Sequence, residues 1–292
     1  MAITVNTNIP SLTAQKSLNK STNAMNTAME RMSTGYKINS SKDDAAGLAV
    51  ATNLAYKASS FKVAQDNAQM GQSMLDTTEG VLDVIKDNLT RVRDLTEQAA
   101  NGTYGTDALT AINSEISARL GEIDRVVASA DFNGKVLLNG DHTKGGIDED
   151  IKLQVGIGTN DSSTIKLSSG LFADAKSSTI LDGAFVYDKD NPSGNTIKDD
   201  GSARAFLAKV DGAIDKITSR KTEIGGLQAR ITSAMDTANV MQTNLTSAAS
   251  LIQDADVAEE SSNYIKQQIL QQTSASLLAT ANQAPSIASS LI

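Results

Sequence analysis

Apolar residues along this chain recur at intervals of seven over two long stretches. In the first, Leu54, Phe61, Ala68, Leu75, Leu82 and Leu89 are seven apart, and Ala64, Ile85 and Val92 lie three beyond members of that set. In the second, "RITSAMDTANVMQTNLTSAASLIQDADVAEE" from Arg230 to Glu260, the interval links Ile231, Ala238, Leu245 and Ile252, with Ala234, Met241 and Ala248 three residues further on. An average step of 3.5 residues is the pattern of helices packed knobs into holes. Leu18, Met25 and Met32 keep the same interval near the start of the chain. The prolines are Pro10, Pro192 and Pro285, so two long windows are free of a residue that costs about 3 kcal/mol inside a helix.

The first window predicts a helix over about 42–100, roughly 90 Å long at 1.5 Å per residue. Ser41, followed three residues later by Asp44, is its expected N-cap. "AANGTYGTD" ends it, with Gly102 and Gly105 available for the positive φ of a C-terminal cap. Leu109, Ile112, Ile116, Leu120 and Ile123, at steps of three and four, predict a second, shorter helix and hence a helical hairpin over 42–129. "DFNGKVLLNGD", "IKLQVGIGTNDSSTIKLSSG" and "GAFVYDKDNPSG" are short β-type runs between turn residues, a small β element over roughly 131–200. Helix resumes near Ala203. Gly225 and Gly226 inside it leave two readings open, a close helix approach or a weak point.

The stripe at 217–252 is expected to meet the stripe at 54–92, so that the chain leaves along one helix and returns along another. That seam would hold Leu54, Phe61, Leu75, Leu82, Leu89, Ile224, Ile231, Leu245 and Ile252. Residues 1–35 and 258–292 read as weaker amphipathic helices, rich in Ser, Thr, Asn and Gln. Short helices of this kind are marginal alone in water, and they are expected to order when several copies of the chain come together. The fold class is mainly α: a long antiparallel coiled-coil rod built from both chain ends, with a small β element in the middle. The expected divisions are 1–41 and 257–292 as the two halves of a terminal coiled-coil domain, 42–140 and 203–256 as the two parts of a helical rod domain, and 141–202 as β hairpins and a short variable insert.

Composition sharpens this picture. Hydrophobic residues are 40% of the chain but aromatics only 3%, with no tryptophan, which suits thin helix-to-helix seams better than a thick core anchored by rings. The net charge of −8 excludes the basic footprint that nucleic acid requires. With no cysteine, disulfides and thiolate catalysis are excluded. "MAITVNTNIP" has neither the basic nor the apolar region of a secretory signal, and no stretch approaches ~20 apolar residues, so no membrane insertion is expected. His142, the only histidine, sits in the polar loop "NGDHTKGG" and reads as a surface residue. The acids of "DHTKGGIDEDIK" and "YDKDNPSGN" lack the ligand spacing of a calcium loop and read as a solvated face. There is no nucleophile motif and no His-Glu-x-x-His pattern, so no enzyme, no metal and no cofactor is expected.

The residues resemble those of bacterial flagellins over nearly the whole chain. The blocks that carry the likeness are "MAITVNTNIPSLTAQKSLNKS", "RMSTGYKINSSKDDAAGLAVA", "LTRVRDLTEQAANGTYG", "EIDRVVASADFNGKVLLNG" and "LTSAASLIQDADVAEESSNYIKQQILQQTSASLLATANQAP", in order and at both ends. About 140–205 matches poorly, as the variable region of that family would. The resemblance implies a structural subunit, secreted unfolded through the flagellar type III export apparatus, that polymerises with itself into the extracellular filament of motility. It implies as partners an export chaperone, the filament cap, hook-junction proteins and, in a host, Toll-like receptor 5. By motif match, Arg91 and Leu95 of "RVRDL" and Glu115 of "SEISARL" carry over as the face shared by the protofilament contact and that receptor. Thr90, Asp94, Leu251 and the "SSLI" end depart from the commonest family residues. A flagellin-like hook–filament junction protein is the alternative within the same fold. A secreted enzyme on a helical stalk is the alternative from another class.

Overall fold

A computed structural model describes residues 7–140, 147, 149–186 and 196–289, with side chains up to 283. His142, "DHTKGG" and all of "YDKDNPSGN" lie outside the described residues. The order of elements is α1 (Ile9–Thr34), α2 (Ala45–Ala99), α3 (Thr106–Ser129), β1 (Asp131–Phe132), β2 (Lys135–Val136), β3 (Ile151–Gln154), β4 (Thr164–Leu167), the one-turn α4 (Ser177–Ile180), α5 (Asp200–Gln253) and α6 (Val257–Ser289). The fold is mainly α, with long helices from both chain ends packed antiparallel and small strands between them. The described residues of Met1–Ser59 and Gln242–Ile292 form one compact unit, and those of Ser60–Met241 a second.

Side-chain caps set several helix ends. Asn8 accepts the Ser11 N–H at 3.0 Å at the start of α1, beside Pro10 in its first turn. Gly35, at φ 75°, closes that helix by donating its N–H to Arg31 O at 2.8 Å. The α2 cap differs from the sequence expectation. Asp44, not Ser41, accepts the N–H groups of Ala46 and Gly47 at 3.0 and 2.9 Å, and residues 41–43 form a turn ahead of the helix. Carboxylate caps are strong, because a charged acceptor meets the positive end of the helix dipole. Nor do Gly102 and Gly105 close α2 with positive φ. Gly105 is extended, at φ −79° and ψ 174°, and serves as the N-cap of α3. The last turn of α2 instead ends through Ala100 N–H to Thr96 O and Asn101 N–H to Gln98 O.

The Ser60–Met241 unit holds the main core. Ile112, Ile116, Leu120, Ile123 and Val127 of α3 join Leu75, Leu82, Leu89 and Val92 of α2 and Val210, Ile217, Ile224 and Ile231 of α5. Two antiparallel hairpins lie on this helical layer: β1 with β2, and β3 with β4 in the register Ile151 to Leu167 and Leu153 to Ile165. The β1–β2 turn places Asn133 at φ 50° and Gly134 at φ 76°, the Asn-Gly pair that a two-residue hairpin favours. Ile165 and Leu167 are buried while Lys152 and Lys166 face out, as period-two alternation requires. Gly71 lets β3 approach α2: a Cβ there would stand 2.4 Å from Leu153 Cδ2. Residues 183–186, the described part of the third β-type run, form no strand.

Candidate functional site

Within the Ser60–Met241 unit, α2 and α5 run antiparallel, and polar contacts fix their register. Arg93 Nε donates to Asp211 Oδ1 at 2.8 Å, Lys221 Nζ donates to Asp83, and Gln228 Nε2 donates to Asp76 and Glu79, each at 2.9 Å. From 93 to 83 to 76 the steps down α2 are ten and seven; from 211 to 221 to 228 the steps up α5 are the same. The hydrogen bond from Arg93 to Asp211 holds its guanidinium above the ordinary value. Between and just beyond these rungs Leu75, Leu82, Leu89, Ile224 and Ile231 are fully buried. Leu54, Phe61, Leu245 and Ile252 are only half-buried. The fully closed part of the expected seam is therefore shorter than the heptad pattern that marked it. Gly225 and Gly226 lie on the open side of α5, where a Cβ at either meets nothing within 4 Å.

Arg91 and Glu115 sit on facing helices, α2 and α3. Arg91 Nε and Nη2 both donate to Glu115 Oε1, at 3.1 and 2.9 Å, with both side chains exposed. Arg119 Nη2 approaches the same oxygen at 3.9 Å. Leu95, one turn from Arg91, is 2% exposed and belongs to the core. It holds α2 against its neighbours and presents no free apolar surface, so it lies beneath the face on which the family resemblance placed it. Its heptad neighbourhood signals this: Leu95 is three beyond Val92 and six beyond Leu89, on the buried face.

The two terminal helices pair with each other in an unusual way. Arg31 Nη1 donates to Glu260 Oε1 at 3.0 Å, Gln271 Nε2 to Thr22 Oγ1 at 3.0 Å, and Ser11 Oγ to Asn282 Oδ1 at 2.7 Å. Asn8 Nδ2 reaches Ala281 O at 2.7 Å. Among their described residues the buried side chains are Ser21, Ala28, Glu260 and Ser274. Large apolar side chains point away instead: Ile9 and Ile269 are each 58% exposed, and Leu12, Met29, Ile265 and Leu277 are more than half or about half exposed. The fully buried positions are small or polar, Leu18, Met25, Met32 and Leu278 are half-buried, with Met32 Sδ accepting from Ser261 Oγ at 3.3 Å, and further large hydrophobes lie outside. The sequence reading missed this arrangement, although the Ser, Thr and Gln content of both segments carried the signal.

Among the described residues no three His, Asp or Glu side chains converge as metal ligands, and no helix is long and apolar enough to cross a membrane. The arrangement offers helical seams and exposed apolar faces, which are means of association and not of catalysis.

Paired helices from the two chain ends that bury few large side chains and expose many define a self-associating helical subunit. The N-terminal helical region of bacterial flagellin matches residues 5–143, and the C-terminal helical region of bacterial flagellin matches residues 207–291. The chain is 36% identical over 318 residues to a flagellin of Xenorhabdus nematophila, covering all of both chains. It is 33% identical over 288 residues to a flagellin of Listeria monocytogenes serovar 1/2a, covering 99% of each. In fold it is similar to a solved structure assigned as a flagellar hook-associated protein of Vibrio parahaemolyticus, with a TM-score of 0.59 and 17% identity, covering 72% of this chain and 99% of that one. This chain belongs to the bacterial flagellin family. It is a structural subunit, not an enzyme, that self-assembles into the extracellular flagellar filament of motility. The hook-junction alternative is weaker, since the likeness to the hook-associated structure is one of fold alone while the flagellin matches cover both ends of the sequence.

Proposed function

We propose that the α1–α6 pair is the terminal coiled-coil domain of the subunit and that neighbouring copies complete it. One observation carries this: six of the pair's large apolar side chains, Ile9, Leu12, Met29, Ile265, Ile269 and Leu277, are half or more exposed, while the side chains it buries fully are small or polar. Exposed apolar surface of this extent on paired helices marks an association site. Full burial of a wholly exposed side chain of this size is worth about 1.5–3 kcal/mol and burial of the exposed half roughly half as much, so a contact between copies supplies the core that one copy lacks. Residues 42–140 and 203–256 form the helical rod domain, and 141–202 the β hairpins and short variable insert. The chain reaches the filament through the type III export apparatus with an export chaperone, and it meets hook-junction proteins at the base and the cap at the growing end.

The α2–α3 face with Arg91 and Glu115 serves the contact along the protofilament and, in a host, binding to Toll-like receptor 5. A fork of guanidinium donors beside a carboxylate is the mixture that interfaces favour. Leu95 supports this face from beneath.

Deletion of 1–35 or of 258–292 tests the reading. Each truncated chain is expected to keep its folded Ser60–Met241 unit by circular dichroism and to show no growth in seeded light scattering. Growth at the rate of the full chain by either one would refute it.

A further inference from the structure

The two helix breaks, between α1 and α2 and between α5 and α6, are tied to each other by backbone. Lys37 donates its N–H to Gln253 O at 2.6 Å, and Ala255 donates to Gly35 O at 2.9 Å. Tyr36 and Asp254 thereby form an isolated antiparallel bridge. Both sides of this tie are held. Gly35 ends α1, and Asp256 caps α6 by accepting the Ala258 N–H at 2.8 Å. Asp43 accepts the N–H and the hydroxyl of Ser40 and the N–H of Asn39, and these bonds hold its carboxyl below the ordinary range. Ile38 is buried where a Cβ on Gly47 would stand 2.8 Å from its Cδ1. Beside the tie, in the last turn of α1 and the first turn of α6, lies the Arg31–Glu260 pair, with Glu260 8% exposed.

Beyond this point the α1–α6 seam has little to choose one register over another. The fully buried Ser21, Ala28 and Ser274 are too small for a slip of one turn to empty a large hole or create a clash, and the half-buried Leu18, Met25 and Met32 repeat at seven, so a shifted α6 meets the same kinds of side chain again. The polar pairs farther along, Thr22 with Gln271 and Ser11 with Asn282, join side chains of kinds that recur along both helices, so other partners lie within a turn. Specificity must come from a feature that occurs once. A single buried polar pair is the best-attested device for fixing the register of paired helices. The ladder holds Gln253–Ala255, and the link from α5 to α6 is only three residues long (254–256), which leaves α6 no slack.

We propose that Arg31, Glu260 and the Gly35–Lys37/Gln253–Ala255 ladder are positioning groups that set the register of α1 against α6. They thereby decide which apolar side chains each copy presents to its neighbours. The inference rests on the self-assembly reading above, because register matters only for what the outer faces meet.

The absence of cysteine gives a clean background for the test. Cysteines at Thr22 and Gln271, in contact here, report the native register; cysteines at Thr22 and Gln267, one turn away, report a slipped one. Each pair is placed in the parent chain, in Arg31→Glu, in Lys37→Pro, which removes one ladder donor, and in the swap Arg31→Glu with Glu260→Arg. Each is mixed as a minority with cysteine-free chain and seeded, so that filaments form and disulfides arise within single copies. The parent is expected to cross-link the native pair alone. Arg31→Glu and Lys37→Pro shift at least a third of the cross-links to the slipped pair, and the swap restores the native pattern. An unchanged pattern in both single variants would overturn the proposal. So would loss of both cross-links together, which would make these groups necessary for pairing and not for register. If the cysteine-free parent itself grows no filament, the self-assembly reading falls and takes the proposal with it; if filaments grow, only register is in question.

Discussion

Gly225→Ala and Gly226→Ala, alone and together, probe whether α5 is one continuous helix with an open face at its middle. Both glycines lie well inside Asp200–Gln253, and a Cβ at either position meets nothing within 4 Å. Substitution therefore adds no packing and no clash, and only the backbone cost remains. Glycine in a helix interior is about 0.8–1 kcal/mol less favourable than alanine, because the unfolded chain loses more freedom. The pair is then worth about 1.5–2 kcal/mol. For a unit the size of Ser60–Met241, one kcal/mol moves Tm by about 2–4 °C. The double variant should melt about 3–8 °C higher than the parent in scanning calorimetry of the soluble chain, with each single variant near half of that. A Tm that is unchanged or lower would refute the reasoning, since it would mean that α5 is not regular here or that another part of the fold occupies the space beside it.

Leu82→Ala removes a side chain wholly buried in the α2–α5 seam and should lower stability by about 2–5 kcal/mol in denaturant titration; a loss under 1 kcal/mol would count against a packed seam at that level. Asp199 caps α5 by accepting the Ser202 N–H at 2.7 Å, and the bonds from Ser202 hold its carboxyl below the ordinary value of 3.8. A lowered folded value means stability that is present above 3.8 and lost as pH falls through the folded value. Asp199→Ala should therefore lower Tm at neutral pH, with the gap to the parent closing below pH 3.8; a gap independent of pH would contradict that origin. Arg91→Ala breaks an exposed ion pair worth about 0.2–1 kcal/mol, so the monomer should stay folded with Tm nearly unchanged. Its signal in a Toll-like receptor 5 reporter cell should fall at least tenfold, and an equal response would remove Arg91 from the receptor face.

Much of the helical scaffold could be read from the sequence because its signals are local or strictly periodic. The run from Leu54 to Leu89 and the stripe ending at Ile252 each fall within one helix, and the Asn133-Gly134 pair falls at a hairpin turn. The helix-end assignments failed where two residues of similar type competed. Ser41 and Asp44 both suit an N-cap, and only the tertiary path, with Ile38 packed near Gly47, selects Asp44. Gly102 and Gly105 both permit positive φ, yet the loop reaches α3 without using it. Leu95 read as an interface residue because a family motif contains it, whereas its heptad position buries it. The contacts between distant segments, Arg31 with Glu260 and Lys37 with Gln253, left no trace in the local sequence. A pairing across more than two hundred residues has no periodicity to reveal it.

The central claim is that α1 and α6 form a pair whose exterior is finished by other copies of the same chain. Hydrogen exchange of the backbone amides in 9–34 and 257–289, measured in dilute soluble chain and in seeded filaments, tests it most directly. The account predicts rapid exchange in both segments before assembly and strong protection after it, while buried segments of the Ser60–Met241 unit stay protected in both states. Equal protection of α1 and α6 in the soluble chain and in the filament would show a pair that is complete alone, and would contradict the account.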